Sequence, residues 1–223
     1  MSSSPTALQA ALADCGLVAI LRGLRPAEAQ AVGRVLHDAG FRLIEVPLNS
    51  PDPLGSIRIL RDSLPAGCLV GAGTVIDPAA CAEIRAAGGQ IVVMPHSDAA
   101  VIRAAKAAGL FCTPGVTTPT EAYAALAAGA DALKMFPAEQ LGVPALKAWR
   151  AVLRPPVGLI PVGGIVPESI AAYAAAGATG FGLGSALYQP GRSAADVGER
   201  ARAFVAAWRA AYPRAATPSE TSA

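Results

Sequence analysis

Ala128-Gly129-Ala130-Asp131-Ala132-Leu133-Lys134-Met135-Phe136-Pro137 carries the sign of the fold. Its Ala-Gly step reads as a helix end, where glycine takes the left-handed conformation that closes the last turn. The apolar run behind it, stopped by a proline, has the length and composition of a strand buried on both faces. A helix that turns straight back into a buried strand is the unit of a parallel sheet covered by helices. Lys134 is costly in such a run, because desolvation disfavours the ammonium. It is expected to snorkel to water, to pair with a carboxylate, or to give up its proton and serve as a nucleophilic amine.

The same step recurs at Ala39-Gly40, Ala87-Gly88, Ala108-Gly109 and Ala176-Gly177. Working outward from the lysine stretch, strands are predicted at 17–21, 41–46, 69–74, 91–94, 110–113, 131–137, 158–162 and 180–183. Helices are predicted at 26–39, 52–63, 78–87, 98–108, 119–128, 143–153, 168–176 and 194–211, after a short amphipathic segment at 7–14. Uninterrupted alternation of this length predicts an α/β fold, a (β/α)8 TIM barrel in a single domain over residues 17–212. Residues 1–16 are expected to form an N-terminal segment and helix, and 213–223 a flexible tail. No G-x-G-x-x-G opens a helix after the first strand, which counts against a dinucleotide-binding domain.

Composition narrows the class. A chain of 223 residues, 53% hydrophobic and only 15% charged, can bury roughly 70% of its unfolded surface in one core. The formal net charge of +2 comes from interspersed residues, so no basic stripe points to nucleic acid. Cys15, Cys68, Cys81 and Cys112 form no C-x-x-C pair and read as reduced core thiols of a cytoplasmic protein. Neither a signal peptide nor a membrane span is expected. His37 and His96 lack a carboxylate cluster, so no metal and no other cofactor is expected.

A barrel of this kind places its site at the C-terminal strand ends. Read as a set, those ends offer Arg22, Glu45, Thr74, Pro95, Pro114, Lys134 with Phe136, Gly163-Gly164 and Gly184-Ser185. Period-two alternation puts Ala132, Lys134 and Phe136 on one strand face and Leu43 with Glu45 on another. If both faces point inward, Lys134 and Glu45 share the barrel mouth. A Schiff-base lysine needs a proton carrier, and a carboxyl in an apolar strand can have the raised pKa that role requires. The competing reading of Glu45 is a structural ion pair with Arg22 or Lys134. Arg22 presents a fork suited to a carboxylate, and Thr74 can add a hydroxyl or serve as an ordinary turn residue. Glycine pairs after the last two strands, with Ser185 at a helix start, are where such barrels hold phosphate. The residues thus point to a phosphorylated keto compound handled through an imine.

Ala19-Ile20-Leu21-Arg22-Gly23, Glu45-Val46-Pro47-Leu48-Asn49-Ser50-Pro51, Gly71-Ala72-Gly73-Thr74-Val75, Leu133-Lys134-Met135-Phe136-Pro137, Val162-Gly163-Gly164-Ile165 and Gly182-Leu183-Gly184-Ser185 resemble the class I 2-keto-3-deoxy-6-phosphogluconate/6-phosphogalactonate aldolases. The resemblance runs from about Leu17 to Tyr212. It implies a metal-free homotrimer that cleaves a phosphorylated keto-deoxy sugar acid to pyruvate and glyceraldehyde 3-phosphate. By matching motif it implies Lys134 as imine former, Glu45 as proton donor and acceptor, and Arg22 and Thr74 at the pyruvate end. Gly163, Gly164, Gly184 and Ser185 would meet the phosphate, and Phe136 and Pro95 would flank the chain.

Pro47-Leu48-Asn49-Ser50 and Val162 are similar to the galactonate branch, where the gluconate branch usually has an Arg-Thr pair and a Thr. Losing one hydroxyl contact to an epimer is worth roughly 1 to 3 kcal/mol. Met94 and His96 depart from the family's usual residues and are expected beside the mouth. A gluconate or dual-epimer aldolase, a sugar-phosphate isomerase or epimerase on the same barrel, and a non-catalytic binding barrel remain as alternatives.

Overall fold

The structure is a computed structural model that describes residues 6–213. Beyond Pro213, the tail expected at 213–223 lies outside the described residues. The strands are β1 (Leu17–Ile20), β2 (Leu43–Pro47), β3 (Leu69–Gly73), β4 (Ile91–Val93), β5 (Phe111–Thr113), β6 (Gly115–Val116), β7 (Leu133–Met135), β8 (Leu159–Pro161) and β9 (Phe181–Leu183). The helices are α1 (Ala7–Asp14), α2 (Pro26–Ala39), α3 (Pro53–Ser63), α4 (Ala80–Ala86), α5 (Ala99–Ala107), α6 (Pro119–Ala127), α7 (Ala138–Val152), α8 (Ile170–Ala175) and α9 (Ala194–Ala211).

All ladders are parallel. One sheet runs β5-β4-β3-β2-β1-β9 and another runs β6-β7-β8. The chain itself joins them between β5 and β6, and a bridge from Val162 to Gly182 joins β8 to β9. The strands therefore follow one another around a ring of eight positions, the (β/α)8 arrangement. The predicted fifth strand stopped at Thr113 with a turn at Pro114-Gly115, whereas the structure continues into β6. Pro114 has no N–H for the ladder, which breaks the pairing without ending the extended chain. Its carbonyl still accepts from Lys134 N at 2.9 Å.

The Ala-Gly steps have one geometry. Gly40, Gly88, Gly109, Gly129 and Gly177 all have positive φ. The N–H of the following residue reaches back five positions in each case, as from Phe41 to Leu36 O and from Ala130 to Ala125 O. This satisfies carbonyls that a helix end leaves orphaned and aims the chain at the next strand. The last predicted helix before the glycine pairs fares differently. Expected from residue 143, α7 begins at Ala138 and is broken at Gly142, whose φ is 73°. The signal was Pro137 followed at once by Ala-Glu, a helix-start pattern.

Alternation along each strand splits the core in two. Ile44, Val46, Leu133 and Met135 face outward into the layer packed under the helices. Inward, Val18, Leu43, Leu69 and Ile91 meet Leu8 and Ala11 of α1, with Leu12 packed alongside. Each such buried aliphatic side chain stabilises the fold by roughly 1.5 to 3 kcal/mol. The segment expected at 7–14 is thus the floor of the barrel. Thr6 and Gln9 cap it reciprocally, Thr6 N to Gln9 Oε1 at 2.9 Å and Gln9 N to Thr6 Oγ1 at 3.2 Å. All four cysteines are free and buried. Burial pushes the Cys68 and Cys112 thiols up to about 11 and about 12. Among the described residues no helix is long and apolar enough to cross a membrane.

Candidate active site

With α1 packed on the floor, a cleft of about 580 Å³ lies at the C-terminal strand ends. Arg22, Glu45, Thr74, Pro95, Lys134, Phe136, Val162, Gly163, Gly164, Gly184 and Ser185 all line it. A second hollow, of about 340 Å³, lies by the C-terminal ends of α1 and α9. Arg42 pairs there with Asp14 at 2.8 Å.

The parallel register brings Lys134 opposite Gly115 on one side and Ile160 on the other. The side chain points into the barrel beside Ala132, Ile160 and Val162, the face that alternation predicts. Lys134 is 7% exposed and Glu45 2% exposed. Burial lowers the Lys134 ammonium pKa from its ordinary 10.5, Glu45 opposing that shift and Arg22 adding to it. The Lys134 Nζ stands 4.6 Å from the centre of the Phe136 ring, a contact that favours the cation.

Burial pushes the Glu45 carboxyl up to about 7, while Lys134 and Arg22 pull it down. Its Oε2 is buried without a hydrogen-bond partner among the described residues. A buried acceptor left unpaired is costly, so this oxygen fits a proton-handling role better than a structural one. Gly73, paired with Pro47 across the ladder, makes room for it. A Cβ on Gly73 would overlap the Glu45 carboxylate.

Arg22 is exposed at the rim and fixed from two loops. Its Nη1 donates to Asn49 Oδ1 at 2.6 Å, and its Nη2 donates to Thr74 Oγ1 at 3.3 Å. Thr74 sits at φ 56°, an uncommon conformation for a β-branched residue. Ser50 Oγ accepts from Gly23 N at 2.9 Å and ties the two loops together. Asn49 was part of a motif in the sequence without a role of its own. A polar side chain in the loop directly after the strand that carries Glu45 was the available signal.

Across the cleft, Gly163 and Gly164 have φ of 107° and 67°, which turns their backbone sharply under the mouth. Ser185 begins a single turn closed by Leu187 N and Tyr188 N onto Gly184 O. It does not begin an α-helix as expected, because Pro190 and Gly191 intervene before α9 starts at Ala194. Glu139, Arg192 and Arg200 also line this end. Glu139 went unread because the first turn of α7 did.

Two neighbours expected at the mouth are elsewhere. Met94 is fully buried on the outward face, its Sδ 3.7 Å from Cys112 Sγ. The expected strand alternation carries it there, one residue after the inward Val93. His96 is exposed and does not line the cleft; its carbonyl accepts from Gly115 N at 3.2 Å.

A family model described as KDPG and KHG aldolase matches residues 8–199. The chain is 51% identical over 196 residues to a probable 2-dehydro-3-deoxy-6-phosphogalactonate aldolase of Rhizobium meliloti (strain 1021), covering 88% of this chain and 92% of the relative. It is 45% identical over 196 residues to the 2-dehydro-3-deoxy-6-phosphogalactonate aldolase of Escherichia coli (strain K12), covering 87% and 95%. A solved structure described as native KDPGal superposes with a TM-score of 0.86 at 44% identity, over 87% of this chain and 95% of that one. A closed ring of parallel strands, a mouth that gathers a lysine and a carboxyl, and likeness across nearly the whole chain lead to one conclusion: this aldolase belongs to the KDPG and KHG aldolase family.

Proposed function

We propose that the chain is a class I aldolase that cleaves 2-dehydro-3-deoxy-6-phospho-D-galactonate to pyruvate and D-glyceraldehyde 3-phosphate through a Schiff base on Lys134. The observation that carries this reading is the burial of Lys134 beside Glu45, which moves their pKa values toward each other. A lysine poised to lose its proton attacks the C2 carbonyl, and the carbinolamine loses water to give an iminium. Glu45, as the carboxylate, takes the proton of the C4 hydroxyl. The C3–C4 bond then breaks, its electron pair passes into the enamine, and the phosphorylated aldehyde departs. Glu45, now protonated, returns the proton to C3, and water releases pyruvate from Lys134.

Arg22 and Thr74 meet the substrate carboxylate, Phe136 and Pro95 flank the carbon chain, and the two glycine pairs with Ser185 hold the phosphate. Val162 lies beside the chain where a hydroxyl side chain would favour the other C4 epimer. The resemblance also carries a cytoplasmic homotrimer, for which sedimentation is the measurement; a monomer would remove that part of the reading.

Incubation with pyruvate, borohydride reduction and peptide mass spectrometry test the chemistry. The expected result is an adduct on Lys134, and assays on both phosphorylated epimers then rank galactonate over gluconate. Folded protein that yields no adduct would instead favour proton-transfer chemistry without a covalent intermediate.

A further inference from the structure

The cleft is charged at both ends. Arg22, Glu45 and Lys134 gather at one, and Glu139, Arg192 and Arg200 at the other. Glu139 makes the second end an awkward place for an anion. A Cβ on Gly164 would lie 2.6 Å from Glu139 Oε2, so a carboxylate stands directly beside the glycine pair. Backbone N–H groups contribute only partial charges, and a phosphate ester dianion next to a carboxylate calls for full cations.

Arg192 and Arg200 are the cations in place. Arg192 Nη1 donates to Ser185 O at 3.2 Å and Leu187 O at 2.8 Å. Arg200 Nη1 donates to Ala186 O at 3.2 Å. Between them they hold three successive carbonyls of the turn after β9. A guanidinium has five N–H donors, so each keeps others for the cleft it borders. On their far side Asp196 and Glu199 share a shallow hollow with both arginines, so the two cations stand between acids on α9 and the cleft.

We infer that Arg192 and Arg200 select the phosphate: they grip the terminal phosphate ester of the aldehyde half and set the preference for a phosphorylated over a free aldehyde. The inference rests on the aldolase reading above. It goes beyond the glycine pairs, which supply uncharged donors to any anion.

The test is condensation of pyruvate with D-glyceraldehyde 3-phosphate and with D-glyceraldehyde, run on the full chain. The ratio of the two kcat/KM values reads phosphate recognition. Arg192→Gln and Arg200→Gln are each expected to lower the ratio on the order of 10-fold. The Arg→Lys variants, which keep a point charge without the fork, are expected to recover part of the loss. A ratio unchanged in both Gln variants overturns the inference. So does a loss in the Lys variants equal to that in the Gln variants, because the arginines would then only shape the turn. Borohydride trapping of pyruvate separates the two claims: no adduct in the unaltered chain defeats the aldolase reading, whereas an adduct with an insensitive ratio defeats this inference alone.

Discussion

The two ends of the cleft deal with charge by opposite means. At the deep end Lys134 and Glu45 are withdrawn from water, and burial is the largest cause of both pKa shifts. At the outer end Ser185 and Arg200 are exposed and Arg192 is half-buried. On the proposed chemistry burial is found where a proton must move, because desolvation raises the pKa of a carboxyl and lowers that of an amine. On the same reading, exposure is found where an ion has only to be held.

The sharpest way to break this contrast is Lys134→Met. It is expected to abolish cleavage in a steady-state assay, and surviving turnover would show that the deep end has another nucleophile. Glu45→Gln comes next, with a loss of about 10²- to 10⁴-fold in kcat, the usual range for a positioned acid/base group. Cleavage needs the ionised form, so kcat/KM of the unaltered chain is expected to rise with pH through about 7. In Glu45→Gln that limb should disappear.

The same group has an opposite effect on stability. Its folded-state pKa lies above the ordinary 4.5, so the fold binds this proton more tightly than the unfolded chain does. That stabilisation is complete below about 4.5 and lost as pH rises to about 7, on the order of 3 kcal/mol. Thermal melts across this window should show the loss in the unaltered chain and not in Glu45→Gln.

Smaller effects sharpen the boundary between the ends. Val162→Thr is expected to move the epimer preference toward the gluconate substrate by roughly 1 to 3 kcal/mol, read as the ratio of kcat/KM on the two compounds. Asn49→Ala removes one of the two anchors of Arg22. Because Arg22 is exposed and screened, the cost is about 1 kcal/mol, a several-fold rise in the pyruvate KM of the condensation reaction.

Much of this was legible in the residues. Ala-Gly steps fix helix ends by a local steric rule, and α2 and α9 begin and end at the residues expected. Lys134 and Glu45 announce themselves as charged residues in apolar strands. What was not legible depends on neighbours distant in sequence. The overlap that forbids a side chain at Gly73 exists only once β2 and β3 are paired. Arg192 and Arg200 sit in a polar stretch like any surface helix start, and only the turn that folds back onto them reveals their carbonyl partners. Met94 shows the reverse error: period-two alternation already pointed it outward, but attention to the proline beside it placed it at the mouth.

Leu8, Ala11 and Leu12 at the base of the barrel have a kinetic consequence. A vessel with a sealed bottom empties in the reverse of its filling order. On the proposed chemistry the keto acid is tethered deepest and the phosphorylated aldehyde lies between it and the mouth. The aldehyde must therefore leave first and pyruvate last, and in the synthetic direction pyruvate must enter before its partner. A helix of eight residues, whose Leu8 closes the hollow beneath Glu45 and Lys134, would on that chemistry help set the sequence of traffic through the enzyme.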